Sequence, residues 1–297
     1  MKINIINACS DLGVAIDGAR LGPKKIKEYI KDDKRISNII DLEPINNTKS
    51  NDSLDLAKNI DMLNEFNERL YKNIINLDDK NCINIALGGD HSISIASTLA
   101  SVKKQNSLGI IWIDTHPDFN TFETTVTGNI HGLPLSTITN NNKNRLTRFH
   151  DGNFIKNKNA VIVGARDIDP PEKINLELAN IKVYTTNDIK TKNIADIISE
   201  SIKIASNNTN GIHISLDIDV LDPKIAPGIS TSFDNGLTKE ELFEILIEIL
   251  KYKDKIKSID IVEFNPLNDQ NNKTLKIIIE ILQIFISNLS KEKSATR

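Results

Sequence analysis

Residues 109–118 read Gly-Ile-Ile-Trp-Ile-Asp-Thr-His-Pro-Asp, an apolar run that leads directly into three groups able to bind a metal ion. The run over residues 109–113 is continuous and rich in β-favouring side chains, which predicts a strand buried on both faces. Asp114, His116 and Asp118 follow at alternate positions, and alternate residues of an extended segment point to the same side. The stretch therefore predicts a strand whose carboxyl end presents two carboxylates and one imidazole together.

Similar apolar runs recur along the chain and alternate with stretches of helical period. Strands are predicted over residues 3–7, 82–87, 109–113, 160–164, 181–184, 211–216 and 256–262. Apolar residues recur every three or four positions over residues 56–77, 242–250 and 275–289, which predicts helices there. This alternation is typical of an α/β fold, so we expect three α-β-α layers around a mainly parallel central sheet.

Two local patterns mark the starts of helices. Thr238 is followed three residues later by Glu241, which is a capping box, and Pro23 follows Gly22 at a first helical position. The sequence contains no repeat, no linker and no shift in composition, so we predict one domain over residues 1–297. Residues 290–297 are polar, and we expect them to form a flexible tail or a contact between subunits.

Composition and charge exclude several classes of protein. Of 297 residues, 39% are hydrophobic and 26% charged, which is typical of a globular protein and excludes collagen-like and disordered chains. The net charge of −3 argues against a nucleic-acid partner. Cys9 and Cys82 are too few for a disulfide framework, and no apolar run is long enough for a membrane span or a signal peptide. These features predict a cytoplasmic protein that binds neither nucleic acid nor membrane.

Acidic or imidazole side chains follow five of the predicted strands, in residues 87–91, 114–118, 166–169, 217–219 and 263–266. The carboxyl ends of parallel strands meet at one edge of a sheet, where ligands bind in open α/β folds. A single Asp at such a position often only caps a turn or helix. The recurrence at five strand ends favours a shared site over five separate caps.

The composition of this cluster predicts a metal centre. Carboxylates packed together repel one another unless a cation lies between them. Four aspartates with His91 and His116 give a ligand set dominated by oxygen, which suits Mn²⁺ and leaves Co²⁺, Fe²⁺ and Zn²⁺ open. Two divalent ions would offset four carboxylates and would lower the pKa of bound water toward about 7.

Three segments resemble the metal motifs of the ureohydrolases, the arginase and agmatinase superfamily. They are Gly88-Gly89-Asp90-His91-Ser92, Asp114-x-His116-x-Asp118, and Ser215-x-Asp217-x-Asp219 followed by Asp222-Pro223. The resemblance covers nearly the whole chain and implies an arginase-like fold with two Mn²⁺ ions. It implies that His91, Asp114, Asp118 and Asp217 hold one ion and that Asp114, His116, Asp217 and Asp219 hold the other.

The loop over residues 119–132 resembles the arginase loop that binds the α-carboxylate of the substrate. In that resemblance Asn120, Thr127 and Asn129 face the α-carboxylate, and neutral donors suit such an acceptor. The loop therefore favours L-arginine over agmatine, which lacks that group.

Further substrate and catalytic roles follow from the same resemblance. Asp169 and Glu172 correspond to contacts of the α-amino group, although Asp169-Pro170-Pro171-Glu172 is also a good helix start. Glu263 and Thr231 correspond to residues near the guanidinium, and a cationic guanidinium needs a carboxylate. His131 corresponds to a proton shuttle, whereas His150 and His213 match no motif and are interpreted as structural or surface residues.

The resemblance implies hydrolysis of L-arginine to L-ornithine and urea by a hydroxide that bridges the two metal ions. Glu263 would stabilise the tetrahedral intermediate, Asp118 would pass a proton to the leaving amine, and His131 would help to restore the hydroxide. The family also implies a homo-oligomer, either a trimer or a hexamer.

Three alternatives stay open from the sequence. Another ureohydrolase, such as an agmatinase, a guanidinobutyrase or a formimidoylglutamase, would use the same metal chemistry. A non-catalytic metal-binding regulatory protein would keep the ligands without activity. A deacetylase on a related fold would hold a single zinc ion.

Overall fold

A computed structural model describes residues 2–45, 57–77, 82–142 and 145–290 of the chain. Its centre is a sheet of eight strands in the order β2-β1-β3-β8-β7-β4-β5-β6, and every neighbouring pair is parallel. The strands are β1 Lys2–Ala8, β2 Ile36–Leu42, β3 Cys82–Gly88, β4 Gly109–Ile113, β5 Ala160–Ala165, β6 Lys182–Thr185, β7 Ile212–Asp217 and β8 Ile256–Val262. The predicted parallel sheet is confirmed, as are all seven predicted strands.

One strand, β2, is absent from the predicted set. It lies at the edge of the sheet, and only the last of its seven residues is buried. A polar side chain of β2 is hydrogen-bonded to the neighbouring strand β1, since Asn7 Nδ2 donates to Asp41 Oδ1 at 2.7 Å. An edge strand of this kind lacks the continuous apolar run that identified the buried strands.

Helices cover both faces of the sheet. They are α1 Gly22–Ile30, α2 Ile60–Asn76, α3 Ser94–Gln105, α4 Pro134–Ile138, α5 Pro170–Ala179, α6 Thr186–Thr191, α7 Ile194–Ala205, α8 Lys239–Leu250 and α9 Lys273–Leu289. The three predicted apolar stripes correspond to α2, α8 and α9, although residue 56 lies outside the described residues. The capping box is present, because Thr238 Oγ1 accepts from the Glu241 backbone N at 3.1 Å, and Pro23 lies in the first turn of α1.

Alternate strand residues enter two separate hydrophobic cores. Ile111 and Ile113 of β4 belong to a core that includes α7, α8 and α9, whereas Ile110 and Trp112 belong to a core that includes α2 and α3. This alternation follows from the two-residue period of a strand. The chain therefore has the predicted three α-β-α layers.

The last features of the fold are the end of its carboxyl-terminal helix and the length and apolar character of its helices. Helix α9 ends at Leu289, and residues 291–297, most of the predicted flexible tail, lie outside the described residues. Within the described part of the chain, the helices lack either the length or the apolar character needed to cross a lipid bilayer.

We expect Phe285→Ala to reduce the free energy of unfolding by about 3–5 kcal/mol, because truncating a buried aromatic side chain leaves a cavity. Phe285 is 0% exposed in α9. Urea denaturation monitored by circular dichroism measures the change. The control is Leu267→Ala in the loop after β8, whose side chain is 66% exposed, with an expected change within about 0.5 kcal/mol. Equal denaturation midpoints for the two variants would contradict this packing.

Candidate metal centre

Five neighbouring strands place the candidate residues at one edge of the sheet. The polar segments follow β3, β8, β7, β4 and β5, which are consecutive in the sheet order. Because all strands are parallel, their carboxyl ends share this edge, as the sequence predicts.

A tight turn after β3 positions His91. A Cβ atom on Gly89 would lie 1.7 Å from the backbone oxygen of Ser10, so only glycine fits at this position. Asp90 then accepts hydrogen bonds from the backbone N of Ser92 and of Gly13, both at 2.8 Å. Asp90 therefore fixes the turn, while the next side chain, His91, points toward the aspartates.

The first group of candidate ligands surrounds His91. Its Nδ1 lies 3.1 Å from Asp114 Oδ2, 3.1 Å from Asp118 Oδ2 and 3.1 Å from Asp217 Oδ2. His91 is 1% exposed, and its ring stacks on Trp112 with the ring centroids 4.0 Å apart. Atoms of His91, Asp114 and Asp118 are close enough together to hold one ion.

The second group of candidate ligands surrounds His116. Its Nδ1 lies 3.1 Å from Asp219 Oδ2 and 3.6 Å from Asp114 Oδ1. These three residues could also hold an ion. Asp114 belongs to both groups and offers one oxygen to each, so the structure brings all six predicted ligands together around one shared carboxylate.

Burial and mutual repulsion dominate the electrostatics of the cluster. Burial, reinforced by the charge of Asp114, raises the pKa of Asp118 to about 7. Burial and the neighbouring charge of Asp219 raise the pKa of Asp217 well above its ordinary value. Burial opposes ionisation of Asp114 too, but the adjacent imidazoles of His116 and His91 outweigh it and lower the pKa of Asp114.

The donor set fits a divalent cation. Nδ1 of His91 is buried and has no hydrogen-bond partner among the described residues, although three carboxylate oxygens surround it at equal distance. A buried polar atom without a partner is costly, and so is a group of buried carboxylates without a counter-charge. A cation between the imidazole and the carboxylates removes both costs.

The backbone is strained at two residues of the site. Of ten non-glycine residues with positive φ in the described chain, eight are asparagines, which tolerate this conformation. The other two are Asp118, with φ of 51°, and Glu263, with φ of 66°. Strain of this kind persists where the surrounding structure demands it and is common at functional sites.

A cavity of about 210 Å³ opens beside the aspartates. Its wall includes two of the predicted ligands, His116 and Asp118, and also His131. The predicted substrate-binding residues on the wall are Asn120, Thr127, Asn129, Asp169, Glu172 and Thr231.

Hydrogen bonds link the loop after β4 to two acidic residues of the cavity wall. Asn120 Nδ2 donates to Asp169 Oδ2 at 3.1 Å, and the Phe119 backbone N donates to Glu172 Oε1 at 2.7 Å. Both acidic residues lie at the start of α5 and also line the cavity. The same residues can therefore begin the helix and contact a ligand. Burial raises the pKa of Glu172, which is 3% exposed, to about 8.

Glu263 lies beside His131 rather than on the cavity wall. Its Oε1 is 3.1 Å from His131 Nδ1 and accepts from the His91 backbone N at 2.9 Å. Burial alone would lower the pKa of His131, but the hydrogen bond and the charge of Glu263 raise it. Oε2 of Glu263 is buried without a hydrogen-bond partner among the described residues, so it is available to a further donor.

Two carboxylates near the centre were not predicted as site residues. Asp167 Oδ2 lies 3.5 Å from Nε2 of His116. Asp260 lies in β8, is 0% exposed, and joins a hydrogen-bonded chain behind His91. A charged residue between two apolar neighbours, Ile259 and Ile261, is a usable signal for Asp260, because such residues are almost never buried without partners.

Comparisons with known proteins identify the family of this chain. A sequence model of the arginase family matches residues 1–287. An arginase of Staphylococcus aureus is 35% identical over 293 residues, with 95% of this chain and 96% of the relative covered. An arginase of Bacillus subtilis is 35% identical over 291 residues, with 96% and 97% covered.

A solved structure matches in the same way. It is an arginase of Entamoeba histolytica in complex with L-ornithine, with a TM-score of 0.86, 28% identity and 98% of each chain covered. The sequence motifs, the fold and the clustered ligands thus lead to the same assignment. This chain belongs to the arginase family, within the ureohydrolase superfamily, and is a hydrolase of that type.

Proposed function

We propose that the protein is an arginase that hydrolyses L-arginine to L-ornithine and urea. The observation that carries the proposal is the pair of His and Asp groups, buried except for the partly exposed His116, that share Asp114 beside a cavity lined with carboxylates and amides. The arginase relatives, similar over almost the whole chain, support the same activity.

We propose that the centre holds two Mn²⁺ ions. Oxygen ligands with two imidazoles suit Mn²⁺, and two divalent ions offset the four carboxylates. One ion would be held by His91, Asp114, Asp118 and Asp217, and the other by Asp114, His116, Asp217 and Asp219. When bound, such a pair supplies a hydrolytic nucleophile at neutral pH by lowering the pKa of water.

The charged groups of L-arginine have complementary partners around the cavity. The carboxylates of Asp169 and Glu172 suit the α-amino group. The neutral donors of Asn120, Thr127 and Asn129 suit the α-carboxylate. The free Oε2 of Glu263 suits the guanidinium, which stays charged at neutral pH. Thr231, on the cavity wall, would contact the same group.

Two residues are suited to moving protons. Asp118 lies on the cavity wall, so its carboxylate can accept a proton there and pass it to the departing amine. His131 also lies on the cavity wall, where its ring can exchange a proton with solvent while Glu263 orients it.

We propose that the chain acts as one domain over residues 1–297 within a cytoplasmic homo-oligomer, either a trimer or a hexamer. Exposed apolar side chains support an oligomer, since Ile174 and Leu178 of α5 are 57% and 82% exposed.

We expect Asp114→Ala to abolish urea release and to lose at least one bound Mn²⁺, because Asp114 belongs to both ligand groups. A colorimetric urea assay and atomic absorption of dialysed protein measure the two effects. Asp151→Ala is the control, since that side chain is 81% exposed and pairs with Lys103. Full urea release from the Asp114 variant would refute the proposed centre.

We expect Thr127→Val to raise the KM for L-arginine roughly 10- to 100-fold, because the variant loses one hydrogen bond to the charged substrate carboxylate. The Thr127 hydroxyl accepts from the Asn129 backbone N at 3.2 Å, so its proton is free for the substrate carboxylate. Agmatine lacks that carboxylate and serves as the internal control. A preference for agmatine in the unaltered protein, or equal effects on both substrates, would exclude this role for the loop.

We expect L-ornithine, the product of the proposed reaction, to release a proton when it binds at pH 7. Glu172 is protonated at this pH because its pKa is about 8, and a nearby ammonium group favours the ionised carboxylate and lowers that pKa. Calorimetry in buffers of different ionisation enthalpy counts the proton. Glu172→Gln should bind without this release; the same release from both proteins would show that Glu172 is not its source.

A further inference from the structure

A chain of buried hydrogen bonds runs from His91 away from the cavity. His91 Nε2 lies 2.8 Å from Ser215 Oγ, and Ser215 Oγ donates to Asp260 Oδ1 at 2.5 Å. Ser215 of β7 and Asp260 of β8 are register partners in the sheet. The sheet itself therefore holds Asp260 behind the imidazole.

Asp260 is surrounded by donors. Its Oδ2 accepts from Ser97 Oγ at 2.6 Å and lies 2.9 Å from His213 Nε2. Nδ1 of His213 lies 2.7 Å from Ser258 Oγ, which completes the partners of that ring. Each of these side chains is 3% exposed or less, so its hydrogen-bond partners are protein groups rather than bulk solvent.

The direction of each hydrogen bond follows from counting protons. An ionised carboxylate only accepts, whereas a serine hydroxyl has a single proton to donate. Ser215 gives that proton to Asp260, so it can only accept from Nε2 of His91. The proton of a neutral His91 ring then lies on Nε2, and the lone pair on Nδ1 faces Asp114, Asp118 and Asp217.

We propose that Asp260 is a positioning residue that acts through Ser215 to hold the His91 proton on Nε2 and so leaves Nδ1 free to bind a metal ion. The inference rests on the metal site of the proposed function. Partners of this kind behind a metal-binding histidine fix its tautomer and orientation, and their loss weakens metal binding about 10- to 100-fold.

Asp260→Asn tests the role with almost no change in shape. An amide in place of the carboxylate can donate to Ser215, whose hydroxyl then turns to donate to His91 Nε2. That reversal moves the ring proton to Nδ1, where it blocks the metal. We expect Kd for one of the two Mn²⁺ ions to rise about 10- to 100-fold, measured from the electron paramagnetic resonance signal of free Mn²⁺ in titrations of the full-length chain.

A second variant and a control keep the test decisive. Ser215→Ala removes the acceptor without changing charge and should weaken the same ion, which covers failure of the Asp260 variant to fold. Ser101→Ala is the control, because the Ser101 hydroxyl donates to the Ser97 backbone oxygen at 2.8 Å rather than to Asp260. Its Mn²⁺ affinities should match those of the unaltered protein.

The outcomes separate this role from the proposed activity. Unchanged Mn²⁺ affinities in both variants, or equal weakening of both ions, would overturn the role of Asp260, since a general structural defect does not select one ion. Absence of urea release from the unaltered, Mn²⁺-loaded protein would overturn the proposed activity instead. Weakening confined to one ion supports the inference.

Discussion

The mutual repulsion of four buried aspartates is the constraint on which the rest of the structure depends. Asp114, Asp118, Asp217 and Asp219 are each 6% exposed or less, and two imidazoles lie among them. Packing neutral side chains around these carboxylates would not stabilise them, because removing each carboxylate from water costs several kcal/mol. Cations between the carboxylates turn this cost into binding energy for the metal.

The parallel sheet makes the cluster possible. Five consecutive strands end at the same edge, so residues more than a hundred positions apart in the sequence meet there. Gly89 allows the close approach that His91 requires, while Asp118 and Glu263 accept strained backbone conformations. The hydrophobic layers above and below the sheet hold these conformations in place.

Much of this arrangement could be predicted from the sequence. The buried strands appear as continuous apolar runs, and the six proposed metal ligands follow those runs directly. The edge strand β2 was missed because it is largely exposed and its sequence mixes polar and apolar residues. The link between Ser215 and Asp260 was missed because it depends on β7 lying next to β8, and chain order alone does not give that pairing. His213, interpreted as structural or surface, is fully buried and belongs to that same chain.

Anomalous diffraction at the manganese absorption edge, from crystals of this protein grown with excess Mn²⁺, tests the central claim most directly. We expect two peaks about 3.5–4 Å apart, with Asp114 between them and a nitrogen of His91 or His116 beside each. A single peak, no peak, or two peaks bound by other side chains would contradict it.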